Sequence, residues 1–182
     1  MLNDVLLGDD VLEIGPGPGL TTDILRERVP KLTALEYGSR LADRLRGRLA
    51  GTNVTVITGD ATEMTFETNR FSAVASFTML HHVPSQDAQD ALLREAFRVL
   101  RPGGLFLGSD SRSSLIFRVA HLFDTMVLVD PDQFGGRLER TGFGEIRVDC
   151  RRSVFRFSAR KPRRIDPFSA QPPEWQGSAD ER

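Results

Sequence analysis

The sequence predicts an α/β fold, a doubly wound and mostly parallel sheet between two layers of helices, on three observations. Short apolar runs suited to buried strands alternate with stretches whose apolar residues recur at helical spacing, the pattern of β-α-β units. The first of these runs, Val11 to Ile14, passes directly into Gly15-Pro16-Gly17-Pro18-Gly19 and then into a helical stretch, which is how a nucleotide-binding unit opens. Late in the chain, two alternating runs, 146–150 and 154–159, are joined by Arg151-Arg152 and read as a closing hairpin.

In chain order, residues 1–10 lead into the first strand. The first helix is expected from Leu20 to Arg28, stopping at Pro30. Lys31 to Glu36 forms the second strand. Ser39 can cap the next helix, where Leu41, Leu45 and Leu49 recur every four residues and Arg44, Arg46 and Arg48 fall on the wet side. Val54 to Thr58, a β-branched run, is the third strand, and Phe71 to Phe77 the fourth. Ser85 or Asp87 can start a long helix that places Ala88, Leu92, Ala96 and Val99 on one face and ends at Arg101-Pro102-Gly103-Gly104. Leu105 to Gly108 is the fifth strand. An apolar helical stripe follows over 115–129, able to roof a substrate pocket, to join the core, or to pair with a second copy in a homodimer. Asp130-Pro131 opens another helix, by cap and pre-set φ, that ends near Thr141-Gly142. Residues 1–160 make one domain. Residues 161–182, with Pro162, Pro167, Pro172 and Pro173 and little to bury, are expected to be a disordered tail.

Composition narrows the function. The chain has 182 residues, 40% hydrophobic and 27% charged, enough for one domain with a real core. A net charge of −1 argues against a generally basic surface for nucleic acid. Cys150 is the only cysteine, so no internal disulfide can form, and a cytoplasmic location is expected. No signal peptide, membrane-spanning apolar run, internal repeat or metal-ligand spacing is visible.

The glycine turn suits a ligand that approaches the backbone closely, since glycine accepts positive φ and has no Cβ. It does not suit a pyrophosphate well. The last small residue of that fingerprint is replaced by Leu20, and Glu13, two residues before Gly15, would sit unfavourably beside phosphate charge. The same carboxylate favours a cation, and S-adenosylmethionine carries an ammonium and a sulfonium. Ligands of open α/β sheets lie beyond the carboxyl ends of the strands. Glu36 ends the second strand, where it can accept from a ribose diol. Asp60 follows the third, where it can accept from an adenine amino group while Ala61 leaves room for the ring. Ser76-Phe77 ends the fourth and leads into Leu80-His81-His82-Val83-Pro84.

These motifs, with Arg98 to Gly104, resemble class I, Rossmann-like S-adenosylmethionine-dependent methyltransferases, nearest to the small-molecule branch, over roughly 11–160. The resemblance implies a seven-stranded sheet ordered 3-2-1-4-5-7-6 with strand seven antiparallel, in three α/β/α layers. It implies that Glu13 and Gly15, Gly17 and Gly19 hold the methionine portion, Glu36 the ribose, and Asp60 and Ala61 the adenine, with Ser76 and Phe77 near the methionine or the ring. Two departures stand out. Phe71-Ser72 replaces an aromatic-aspartate pair, and the family's lid helices before the glycine turn have no counterpart in the few residues before Gly15. The acceptor pocket is therefore expected to be open, completed by a second subunit, or defective.

The implied reaction is in-line methyl transfer to an O, N or C atom of a small-molecule acceptor, the protein supplying alignment, water exclusion and a base. His81 and His82 are the base candidates, against a reading as backbone-fixing or pocket-lining residues. The Asn/Asp-Pro-Pro-aromatic signature of amide- and adenine-N-methylating relatives is absent after the fourth strand, and Cys150 lies too late to be a cytosine-directed nucleophile. The alternatives are a non-catalytic S-adenosylmethionine-binding or regulatory protein and a nicotinamide-dependent oxidoreductase, the latter disfavoured by Leu20 and Glu13.

Overall fold

The structure, a computed structural model, describes residues 5–111 and 127–163. Its strands are β1 (Asp10–Ile14), β2 (Lys31–Glu36), β3 (Val54–Thr58), β4 (Phe71–Phe77), β5 (Leu100–Ser111), β6 (Gly144–Cys150) and β7 (Val154–Arg160). The helices among the described residues are α1 (Leu20–Arg26), α2 (Ser39–Arg48), α3 (Gln86–Val99) and α4 (Pro131–Thr141), with a short 3₁₀ turn at Leu80–His82. The sheet runs β3-β2-β1-β4-β5-β7-β6. β1 is parallel to both β2 and β4, in register Leu12↔Thr33 and Leu12↔Val74, and β7 is antiparallel to β5 with Gly108↔Phe157. This is the expected topology.

Strand β1 is buried along its whole length, as a parallel strand covered on both faces must be. One face of the sheet packs Leu12, Val74, Phe106, Phe155 and Phe157 against Leu92, Ala96 and Val99 of α3 and Phe134 and Leu138 of α4. The other face packs Val11, Leu32, Ala75 and Leu107 against Leu25 and Val29, while Ala42, Leu45 and Leu49 cover Ala34 and Val56. Helix ends follow ordinary capping chemistry. Ser85 Oγ accepts from the Ala88 amide at 3.1 Å, and Asp130 accepts from the Asp132 amide at 3.0 Å with Pro131 in the first turn. Gly142, at φ 107°, ends α4.

Three local expectations are corrected. Gly38, not Ser39, caps α2, because the Glu36 carboxylate already accepts from its amide. The Arg101-Pro102-Gly103-Gly104 segment does not merely end a helix. It lies inside β5, whose pairing with β4 slips between Phe71 and Ala73. Arg46 and Arg48 are not simply solvated: Arg46 donates to Val56 O and Thr58 Oγ1, and Arg48 to the glycine turn. The helix expected over 115–129 lies outside the described residues except for 127–129, which are not helical.

Ser72, where the family has aspartate, accepts from the Asp10 amide at 3.1 Å and turns its hydroxyl toward Leu7 O and Asp10 O, both 2.8 Å away, so it pins the start of β1. Lys161 Nζ donates to Asn69 Oδ1, Phe97 O and Leu100 O at 2.7–2.8 Å, and its main chain pairs with Gly103 and Gly104. Residues 164–182 lie outside the described residues.

Phe157 is 1% exposed and packs against Phe106, Phe134 and Phe155. Phe157→Ala is expected to remove about 3–5 kcal/mol of stability, read as a lower urea midpoint with an unchanged slope.

Candidate functional site

Parallel pairing brings the carboxyl ends of β1, β2, β3 and β4 to one edge. The turn leaving β1 bends sharply there. Gly15, Gly17 and Gly19 have φ of 67°, 54° and 88°, in the left-handed region that a side chain disfavours. A Cβ on Gly15 would collide with the Met79 side chain, and one on Gly19 with Arg48 and Leu45 of α2; one on Gly17 would meet nothing within 4 Å. The outer glycines thus let the turn pack against its own protein. The middle one leaves a face of bare backbone open.

Two carboxylates flank this face. Glu36, 7% exposed, accepts from the Gly17 amide through Oε2 at 3.1 Å and from the Gly38 amide through Oε1 at 2.8 Å. An ionised carboxylate has about four acceptor positions, so capacity remains for a pair of hydroxyls. Glu13 is 2% exposed and accepts from Thr22 Oγ1 at 2.6 Å. Burial pushes its carboxyl up from the ordinary 4.5 to about 7; the Thr22 hydroxyl opposes the rise and the nearby Asp23 adds to it.

The remaining expected residues fall around these. Gly59 donates to Glu36 O at 3.0 Å, which seats the β3 end beside the β2 end. Asp60 is exposed; its Oδ1 accepts from the Thr62 amide and hydroxyl at 2.8 Å each, and its Oδ2 takes no hydrogen bond among the described residues. Ala61 packs against the larger core cluster. Ser76 sits in register with Ile14 and Gly108, is 1% exposed, and its Oγ has no partner among the described residues. Phe77 packs on the α1 side of the sheet.

His81 and His82 differ sharply. His81 is 2% exposed; its Nδ1 lies 2.5 Å from Asp110 Oδ1, and its amide donates to Asp110 Oδ2 at 3.2 Å. The Asp110 carboxylate therefore fixes both the ring orientation and the main chain of His81. His82 is exposed, its ring 4.1 Å from that of His81. The backbone between β4 and these histidines is strained: Thr78 is β-branched and holds φ 52°, with its amide donating to Ser109 O at 2.7 Å.

Sequence reasoning missed Thr22, Arg48, Met79 and Asp110. Each acts across 9 or more residues of chain, and no spacing rule reaches that far. Cavities of about 570 and 620 Å³ lie at the opposite, amino edge, one beside Gly103 and Arg160, the other beside Asp10 and Lys31; neither is lined by the glycine turn. Among the described residues no cluster suits a metal ion, and no helix is long and apolar enough to cross a membrane.

The carboxyl edge fits S-adenosylmethionine on its own chemistry. It offers a buried carboxylate without a cation, a second carboxylate with acceptor capacity, an open backbone face at Gly17 and an unpartnered buried hydroxyl.

Comparison with known proteins agrees. The sequence profile of a family described as "Methyltransferase domain" matches residues 11–104. A probable S-adenosylmethionine-dependent methyltransferase of Mycolicibacterium smegmatis is 33% identical over 102 residues, 56% of this chain and 38% of that protein. Ribosomal RNA small subunit methyltransferase A of Geobacter sulfurreducens is 45% identical over 58 residues, 31% of this chain and 21% of that protein. The chain thus spans well under half the length of these curated relatives. Among solved structures, phosphoethanolamine N-methyltransferase 2 of Haemonchus contortus with S-adenosyl-L-methionine superposes with a TM-score of 0.73 at 18% identity, over 88% of this chain and 50% of that one. The YcgJ protein of Bacillus subtilis gives a TM-score of 0.73 at 12% identity, over 88% and 95%.

Glu13 also generates a stability prediction. A carboxyl whose folded pKa is raised favours the protonated folded protein, so its contribution is present below the unfolded value near 4.5 and is lost as pH rises through about 7. Glu13→Gln keeps the acceptor for Thr22 and removes the charge. Without ligand, it is expected to match wild type at pH 4.5 and to exceed it at pH 8 by on the order of 3 kcal/mol in urea unfolding.

Proposed function

This chain belongs to the methyltransferase domain family, and from that premise we propose that it binds S-adenosylmethionine at the carboxyl edge and catalyses methyl transfer to a small-molecule acceptor. The observation that carries the reading is a pair of buried acids around the glycine turn: Glu36, which accepts from the amide of open Gly17, and Glu13, which precedes the turn with Thr22 as its donor. Bound there, S-adenosylmethionine supplies a methyl group on a positively charged sulfur. Glu36 accepts from the ribose hydroxyls while keeping its bond to the Gly17 amide. Asp60 accepts from the adenine amino group through Oδ2, and Ala61 leaves room for the ring. Gly15, Gly17 and Gly19 admit the methionine portion, which Glu13 balances in charge. Ser76 Oγ finds in it the partner that the described residues do not provide, and Phe77 borders it.

The chain's part in the reaction is alignment and proton removal. The acceptor atom forms its bond to the methyl carbon in line with the sulfur, and the electron pair of the broken bond stays on sulfur. The proton displaced from an O, N or C acceptor passes to a histidine. His81, its ring oriented by Asp110, is the first candidate and exposed His82 the second.

A small molecule is favoured over a nucleobase because Ser76-Phe77-Thr78-Met79 carries neither the Asn/Asp-Pro-Pro-aromatic signature nor a Pro-Cys pair, and the net charge of −1 offers nucleic acid no general attraction. Residues 1–160 form the catalytic unit in this reading, acting in the cytoplasm. A second copy docking through 115–129 would complete the acceptor side.

Calorimetry with S-adenosylmethionine, S-adenosylhomocysteine and NAD tests the cofactor. Binding of the first two and not the third is expected, and tight NAD binding alone refutes the reading. Gly17→Val meets no neighbouring atom but is strained at φ 54°, so it should fold with lowered stability and lose cofactor binding; Glu36→Gln should weaken binding by about tenfold. Phenols, quinones and fatty acids, screened for S-adenosylhomocysteine release beside a structured RNA, test the acceptor. Release with RNA alone would overturn the small-molecule assignment, and binding without turnover on any acceptor would favour a regulatory role.

A further inference from the structure

Arg48 stands in the last turn of α2, where helical spacing assigns it to solvent. Its guanidinium instead reaches back across the chain to the glycine turn. Nη2 donates to Pro18 O at 3.2 Å and to Gly19 O at 3.3 Å, and Nη1 donates to Asp23 Oδ2 at 2.6 Å. The two carbonyls belong to the turn itself and the carboxylate to the first turn of α1. The space that a Cβ on Gly19 would occupy is filled by Arg48 and by Leu45 from the same helix. On the other side, Glu36 accepts from the Gly17 amide.

The turn therefore hangs between an anion that takes its N–H and a cation that takes its carbonyls. Pro16 and Pro18 fix their own φ, whereas the three left-handed glycines between and around them have little preference of their own, so neighbours must hold those joints. The planar guanidinium serves the two main-chain carbonyls from Nη2 and the carboxylate from Nη1 in one fixed fork, which a lysine at this position would have to match from a single nitrogen on a shorter reach. We infer that Arg48 is a positioning residue for the cofactor, holding the turn in the shape that keeps the Gly17 face open without touching the ligand itself. The inference rests on the cofactor reading above.

Its weight should fall on binding more than on folding. The Arg48 and Asp23 side chains are 43% and 39% exposed, so their ion pair adds little stability in water. Asp23 is also bonded by Arg26 Nε at 3.3 Å, so loss of Arg48 does not strand its charge. What disappears is pre-ordering of the turn, which must then be supplied when the ligand binds.

The test compares Arg48→Ala, Arg48→Lys and Asp23→Asn by calorimetry with S-adenosylmethionine, by thermal unfolding and by amide exchange in the ligand-free protein. Arg48→Ala is expected to raise Kd by about tenfold while Tm moves by no more than about 2 °C. Arg48→Lys should recover only part of the affinity. Asp23→Asn, which breaks the ion pair and keeps both carbonyl contacts, should stay near wild type. Amides of residues 17–23 should exchange faster in both Arg48 variants. Affinity within twofold of wild type in Arg48→Ala, or an equal loss in Asp23→Asn, overturns the inference and leaves the cofactor reading standing. If Arg48→Ala fails to fold, the Lys variant decides, and full affinity with unchanged exchange there is the overturning result. Absence of binding by wild type removes the cofactor reading, and this inference with it.

Discussion

One hydrogen bond, from the Gly17 amide to the Glu36 carboxylate, sets the shape on which the rest of the carboxyl edge depends. It joins the end of β2 to the turn after β1, whose own closure is the Gly19 amide on Pro16 O at 2.9 Å. Around it, each contact has a partner of the right sign. The Gly15 amide reaches Leu35 O at 2.9 Å, the Gly59 amide reaches Glu36 O, and Arg48 takes the carbonyls beyond. The parallel pairing of β1, β2 and β3 is what brings these groups to one edge, and β2 lying directly beside β1 is what places Glu36 within reach of Gly17.

Glu13 shows the opposing demand. A carboxyl inside a strand, 2% exposed and with Thr22 as its hydrogen-bond donor, destabilises the folded chain whenever it is charged. A core position of this kind would ordinarily be apolar, and the rest of β1 is nearly so. The charge makes physical sense beside a cation that arrives from outside. Ligand-free and ligand-bound protein then have different preferences for its proton, and the fold is less stable at neutral pH than the same strand with an uncharged residue would be.

Much of this architecture was legible in the sequence. β2, β3, β4 and α4 begin and end where period, β-branching, cap and glycine stop said they would, because those signals act within a few residues. The glycine turn and the acids at positions 13, 36 and 60 were legible for a related reason: strand ends in an open sheet share one edge. Arg48 and Asp110 were not. Arg48 was read from its own helix face, whereas its partners lie 30 and 29 residues away on the turn. Asp110 ends a strand that runs past the expected Gly108, so it fell beyond the reading of that edge, and its bond to His81 spans 29 residues. The helix does stop ahead of Arg101-Pro102-Gly103-Gly104, as read, but β5 begins at Leu100 and not Leu105, because Pro and Gly can also sit at a strand irregularity.

An unpartnered buried atom does not by itself mark a site, and this molecule shows why. Two stand out among the described residues, Ser76 Oγ and Asp10 Oδ1, at opposite edges of the sheet. At the amino edge, the Asp10 carboxylate already has Lys31 Nζ at 3.2 Å and Arg70 Nε at 3.7 Å on its other oxygen, Ser72 fixes its backbone, and the residues around it pair with one another. Nothing there asks for a further ion. Ser76 Oγ has no such neighbours. It ends a central strand next to a turn whose middle glycine faces open space, on the edge that also carries a buried, uncompensated carboxylate and a strained threonine. Strain and unmet polar groups persist only where the surrounding structure holds them, and they collect at functional sites. Strain alone does not separate the edges, since Asn69 and Glu145 hold φ of 60° and 48° at the amino edge; what sets the carboxyl edge apart is a buried carboxylate with no ion pair among the described residues together with the open Gly17 backbone.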